Sequence, residues 1–176
     1  MQAMNRQQLR DLQAPLKELY LREPERAVAT MSARGVVCIE ELTCRIDRPP
    51  GDESAVISGL HPSAGGDGLT ACSGDMLLQA LVACAGVTLA AVATSMELPV
   101  AGAAVEAEAQ MDFRGTLGVS REVPVGMSSI RLVFKLHSEA PREQLEKLVQ
   151  LTERYCVIAQ TLRNAVPVTF ELQMLP

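Results

Sequence analysis

The feature that most constrains this chain is Met76–Thr94, MLLQALVACAGVTLAAVAT, an unbroken run without a single charge. Such a run is long enough for a membrane-spanning helix. Its make-up argues otherwise. It is rich in Ala rather than Leu, and Gln79, Thr88 and Thr94 interrupt it. Asp75 and Glu97 bound it, with no Lys or Arg anchor at either end. The reading is therefore a helix buried on all sides within a soluble protein, not a membrane span. Small residues at Ala80, Ala83, Cys84, Ala85, Gly86, Ala90 and Ala91 let other backbones approach closely. One small domain rarely covers such a helix alone, so a homodimer is expected.

The 176 residues suit one compact domain with an N-terminal appendage. A chain of this size buries roughly 70% of the surface its unfolded form exposes, so it needs no disulfide or metal to hold a core. With 48% apolar and 21% charged residues, global disorder is excluded. Aromatics at 3% leave no stacking platform for single-stranded nucleic acid. The net charge of −5 and the lack of a Lys/Arg cluster exclude an electrostatic footprint for nucleic acid or an anionic membrane. Met1–Tyr20 lacks the apolar stretch and cleavage site of a signal peptide, so a cytoplasmic protein is expected.

The five cysteines (Cys38, Cys44, Cys72, Cys84 and Cys156) are an odd number without a C-x-x-C pair, which does not describe a secreted disulfide framework. His61 and His137 stand alone, so no metal site is expected. The Gly-rich loop GGDGLTACSGD matches neither phosphate-cradling pattern, and no cofactor is expected.

Along the chain, residues 7–33 read as helical with an interruption at Pro24, and Pro15 predicts a kink or the start of a second helix. Residues 35–46 suit one strand, 48–52 a turn, and 54–60 the returning strand. The loop 61–74 feeds the apolar helix, which ends near Pro99. Residues 103–115 and 129–137 alternate as half-buried strands on either side of a loop. Residues 141–163 read as one strong helix with Leu148, Thr152, Cys156 and Ala159 on its apolar face, and 167–174 as a closing strand. Antiparallel strand pairs separated by helices make an α+β fold.

Cys84 and Cys156 both lie on apolar helix faces. If those helices pack together, the sulfurs can meet and support a redox cycle; the alternative is two inert core thiols. Only a thiolate attacks peroxide, and apolar burial raises a thiol's pKa. Cys84 lies too far along its helix for the N-terminal dipole to help, so an Arg is expected to reach it from elsewhere, held by a carboxylate such as Asp75. Cys72 reads as a loop filler or a third redox thiol. Cys38 and Cys44, six apart on one strand, are expected to share a face. His61, before a Pro, is expected to hydrogen-bond loop backbone.

Together these residues resemble the osmotically inducible protein C / organic hydroperoxide resistance (OsmC/Ohr) family, from roughly Gly35 to the C-terminus. DMLLQALVACAGVTL is similar to the family's acid–L-L-x-A-L-x-A-C motif, which implies that Cys84 is the peroxidatic cysteine. RYCVIAQTL is similar to its Y-C-P-V-S-x-T-L, which implies that Cys156 is the resolving one. The stretch VEAEAQMDFRGTLGVSREVPVGMSSIRLVFKL looks like the family's strand, loop and following strand. The resemblance implies an α+β domain over 35–176, in which antiparallel sheets wrap long central helices of an intertwined homodimer. Residues 1–34 are then an N-terminal helical extension. It also implies a catalytic Arg just before the first hairpin turn, Arg48 or failing that Arg45, oriented by Asp75. Two positions depart from the motifs: Gly74 stands where one branch has a Glu, and Val157 where the second motif has a Pro.

The function so implied is a thiol peroxidase acting on a small apolar hydroperoxide, with an external dithiol as reductant. Two alternatives stay open: a binding module for a small apolar ligand without turnover, and a hotdog-type thioesterase with His61 as base.

Overall fold

The computed structural model describes residues 4–47 and 55–174. Helix α1 (Arg6–Arg22) begins with a reciprocal cap, in which the Asn5 side chain accepts from the Gln8 N–H and the Gln8 side chain accepts from the Asn5 N–H. Pro15 lies inside this one continuous helix, so no second helix starts there. The predicted helix to residue 33 stops early: Pro24 opens a short 3-10 turn, Pro24–Ala27, and 28–34 has no regular structure.

Residues 35–46 form a hairpin rather than one strand. Strands β1 (Gly35–Cys38) and β2 (Thr43–Ile46) pair antiparallel, with Leu42 at φ +52 in the connection. The turn has no Gly or Asn-Gly to announce it, and Leu42 takes a conformation that such residues usually hold. This overturns the predicted shared face of the first two cysteines. Val37 sits opposite Cys44 and Cys38 opposite Thr43, so Cys38 and Cys44 point to opposite faces of the hairpin. Strand β3 (Val56–Gly59) adds antiparallel to β2, and β4 (Ala71–Cys72) adds parallel to β3. The predicted turn at 48–52 lies outside the described residues. In the loop before β4, Gly66 passes so close to Leu60 that a Cβ there would meet the Leu60 carbonyl oxygen at 1.8 Å.

Helix α2 (Ser73–Met96) contains the uncharged run and ends where Glu97 turns left-handed at φ +54. Strands β5 (Val100–Met111) and β6 (Met127–Ser138) form a long antiparallel ribbon. Its inner face sets Val105, Leu132, Phe134 and Leu136 against α2. Its outer face carries the exposed pairs Glu106–Lys135 and Glu108–Arg131. A short turn of helix, α3 (Phe113–Thr116), follows β5.

The predicted helix 141–163 is two helices, α4 (Arg142–Tyr155) and α5 (Val157–Arg163), broken at Cys156, whose φ −72 and ψ 106 are extended. The predicted strand 167–174 is not formed. Residues 164–174 are exposed and have neither helix nor strand, and no strand among the described residues pairs with them. The alternation of Val168, Phe170, Leu172 and Met174 is there without a ladder partner.

The core is a stripe of α2 at four-residue spacing, Leu81, Ala85, Leu89 and Ala93, facing Leu148, Thr152 and Cys156. Burying each large side chain contributes roughly 1.5–3 kcal/mol. Burial of α2 on all sides is not reached within one chain, in keeping with a domain too small to cover such a helix alone. One stripe is covered, while Val87 is 72% exposed.

Candidate active site

Cys84 lies at the midpoint of α2, and the break between α4 and α5 brings Cys156 to it. The two thiols are close enough that each perturbs the other's ionisation. They share an apolar cluster with Leu81, Ala85, Phe134 and Ile158. Cys156 is fully buried and Cys84 half-buried.

The break matters because of the hydrogen bonds it releases. Cys156 N–H still bonds the Thr152 carbonyl at 2.9 Å, and the Cys156 carbonyl already accepts from Gln160 N–H at 2.9 Å. The Gln160 side chain turns back to satisfy the freed Glu153 carbonyl at 2.8 Å. The N–H groups of Val157, Ile158 and Ala159, at the start of α5, have no carbonyl within their helix to reach. They lie beside the two thiols. Those of Val157 and Ile158 favour the thiolate of Cys84, and those of Ala159 and Ile158 the thiolate of Cys156.

This arrangement sets the two thiols apart. Burial pushes the Cys84 thiol up, but donors outweigh it: the N–H of Ile158, the Cys156 thiol, the N–H of Val157 and the Thr88 hydroxyl together hold it below the ordinary thiol range. For Cys156, burial again pushes up, and the Ala159 N–H pulls down less than burial and the neighbouring Cys84 raise it. Cys84 is thus the readier thiolate, and Cys156 the proton-bearing neighbour. Thr88, one turn along α2, donates to the Cys84 carbonyl at 2.8 Å.

Asp75 is exposed on the first turn of α2. Nine residues of helix separate it from Cys84, about 13 Å of rise and half a turn of rotation. Within one chain it therefore does not meet Cys84, and among the described residues it forms no ion pair. Arg48 lies outside the described residues. Arg45 is exposed on β2, in a sheet joined to α2 chiefly through β4. No guanidinium among the described residues contributes to holding the Cys84 thiolate.

Cys72 directly precedes α2 and is half-buried. His61 accepts from the Ser63 N–H on Nδ1 at 3.0 Å and stacks on Phe113 at 4.8 Å, a loop-holding role of the kind predicted for it. Among the described residues no group of His, Cys, Asp and Glu is placed to hold a metal.

A cavity of about 330 Å³ opens beside the thiols between α2, β6, α4 and α5. Leu81, Ile130, Leu132, Phe134 and Leu162 make it apolar, and the exposed Glu153–Arg163 ion pair stands in its wall. Cys156 forms part of that wall, whereas Cys84 does not.

The main-chain donors, Thr88 and the break at Cys156 were missed by the sequence reading. The one available signal was Val157: where the resembling motif has a Pro, this chain keeps an N–H.

Comparison with known proteins fits this layout. The profile of the family described as OsmC-like protein matches residues 65–171. The fold is shared with solved structures at low identity. An OsmC like protein from Mycoplasma pneumoniae is 14% identical over 77% of this chain and 88% of its own, with a TM-score of 0.61. An organic hydroperoxide resistance protein from Elizabethkingia anophelis, with thiocyanate bound, is 14% identical over 77% and 89%, with a TM-score of 0.55. An organic hydroperoxide resistance protein OsmC from Legionella pneumophila is 14% identical over 77% and 92%, also with a TM-score of 0.55. No curated protein sequence matches. With most of its length matched by the profile, this chain belongs to the OsmC-like family, and its α+β architecture of antiparallel strands about a long central helix is the OsmC/Ohr fold.

Proposed function

We propose that this protein is a cysteine-based peroxidase that reduces organic hydroperoxides, working as a cytoplasmic homodimer. The observation that carries the reading is the meeting of Cys84 and Cys156 in one apolar cluster, where the surroundings lower the pKa of the first thiol and raise that of the second. The Cys84 thiolate attacks the distal peroxide oxygen. The O–O bond breaks, the alkoxide leaves and takes up a proton as the alcohol, and Cys84 becomes a sulfenic acid. The Cys156 sulfur then displaces water from it to form a disulfide, which an external dithiol reduces by exchange. The apolar cavity beside the pair suits an alkyl hydroperoxide better than hydrogen peroxide.

The homodimer is supported by what one chain leaves uncovered: most of α2, both faces of the β1–β4 sheet, and the alternating tail. A partner copy is also where Asp75 and Arg48 would find an active site to serve, as the family resemblance implies.

Consumption of tert-butyl hydroperoxide in the presence of a dithiol tests the reading. Wild type is expected to consume it rapidly and Cys84→Ser not at all. Equal, slow consumption by both removes the enzyme. A second reading, a binding protein for a small apolar ligand, draws on the same cavity. It expects the ligand to raise the melting temperature, and mild peroxide to yield no Cys84–Cys156 disulfide by mass spectrometry.

A further inference from the structure

We propose that Gln160 is a positioning residue: its side-chain amide replaces the main-chain hydrogen bond lost at Cys156 and so holds the bend that lays α5 over Cys84 and Cys156. The purpose of that bend rests on the peroxidase reading; its test by thiol protection does not.

In an unbroken helix the Glu153 carbonyl accepts from the N–H four residues on, that of Val157. The extended backbone of Cys156 interrupts this ladder. The bonds that flank the gap survive, since Cys156 N–H reaches the Thr152 carbonyl and Gln160 N–H the Cys156 carbonyl. The gap itself is filled by the half-buried Gln160, whose Nε2 donates to the Glu153 carbonyl at 2.8 Å. A side chain inserted into the ladder is one of the few causes of a sharp break in a helix. Gln160 Oε1 accepts from Asn164 Nδ2 at 3.4 Å, which turns the Nε2 end toward Glu153. Arg163 ties the Glu153 side chain to the same helix.

Nothing at the bend itself enforces it. Val157 keeps its N–H, and the spacing through Leu148, Thr152, Cys156 and Ala159 suits one straight helix. A helix as short as α5, seven residues, does not hold a direction alone. Straightening would return the Val157 donor to Glu153 and carry α5 away from α2. Ile158 and Ala159 would then leave the apolar cluster around the two thiols, and the cavity would lose the wall that Ala159, Leu162 and Arg163 give it. Val157→Pro supplies the bend by another route. A proline ring there collides with the Glu153 carbonyl of a straight helix, fits the first position of α5, and follows a residue that is already extended.

The experiment follows alkylation of Cys156 by iodoacetamide at one pH, in a Cys84→Ser background, read on the Cys156 peptide by mass spectrometry. Cys156 is only 1% exposed, so its alkylation reports how often α5 lifts. Gln160→Ala and the similarly long Gln160→Met, which lacks the donor, are each expected to speed it roughly three- to tenfold, the worth of one hydrogen bond. Adding Val157→Pro to Gln160→Ala is expected to restore the slow rate. Undiminished protection in either Gln160 variant, or no restoration by Val157→Pro, overturns the proposal. With Cys84 present, Gln160→Ala is expected to raise the KM for cumene hydroperoxide by a similar factor while kcat holds, and an unmoved KM overturns the proposal too. A protein that consumes no hydroperoxide yet shows the Cys156 pattern leaves Gln160 in its role at the bend and sinks the peroxidase reading instead.

Discussion

Two regions of this molecule treat apolar side chains in opposite ways. Residues 73–163 contain every fully buried side chain among the described residues, the α2 stripe with Leu148, Thr152 and Cys156. In the flanking stretches 28–47, 55–72 and 164–174 none is buried, yet Val37 is 64% exposed, Ile39 77% and Phe170 94%. Both regions carry strand-like alternation and ample apolar residues. The difference is that α2 gives the first something to pack on, while the second meets no face of its own chain. The contrast teaches which half owns its core and which half has none within one chain.

The sharpest way to break that contrast is at its two extremes. Leu148→Ala, in the self-contained region, is expected to destabilise by about 2–5 kcal/mol in urea unfolding, since it opens a cavity at a fully covered position. A much smaller loss would mean that the region is loosely packed. Phe170→Ala comes next. On an isolated chain it would change stability by less than about 0.5 kcal/mol, as exposed positions do. If a second copy covers the tail, the expected loss is about 1–3 kcal/mol, with a melting temperature that rises with protein concentration. Sedimentation and calorimetry together decide between them. The smallest effect is expected on the outer face of the ribbon. Lys135→Ala breaks the exposed pair with Glu106 and should cost below about 1 kcal/mol, a difference that fades as salt is added.

The self-contained region was also the more legible in the sequence. The charge-free run marked α2 by itself, and the alternation through Val105, Ala107 and Ala109 marked β5, because there the local pattern and the tertiary packing agree. The flanks were read less well. The β1–β2 turn passes through Leu42 in a conformation that its residue type does not advertise, so one strand was expected where a hairpin stands. The tail has a strand's periodicity, but periodicity names a face and not a partner. At the site, the residues were legible and their activation was not. Helical spacing put Cys84 and Cys156 on apolar faces, and the motif resemblance paired them. The search for a cation then followed the usual way of easing a thiol. What lies beside the thiols instead is the start of α5, whose place depends on where a helix stops, and the pattern through Leu148, Thr152, Cys156 and Ala159 continues across the break without a mark.

Under the proposed redox cycle, that interruption also gives the molecule a mechanical readout. A covalent link between the two sulfurs would fasten the midpoint of α2 to the joint between α4 and α5. Tying together positions roughly seventy residues apart removes loop entropy worth about 4 kcal/mol from the unfolded ensemble. Oxidised molecules would then resist proteases and heat better than reduced ones, so the chemical history of each copy would be written into its lifetime.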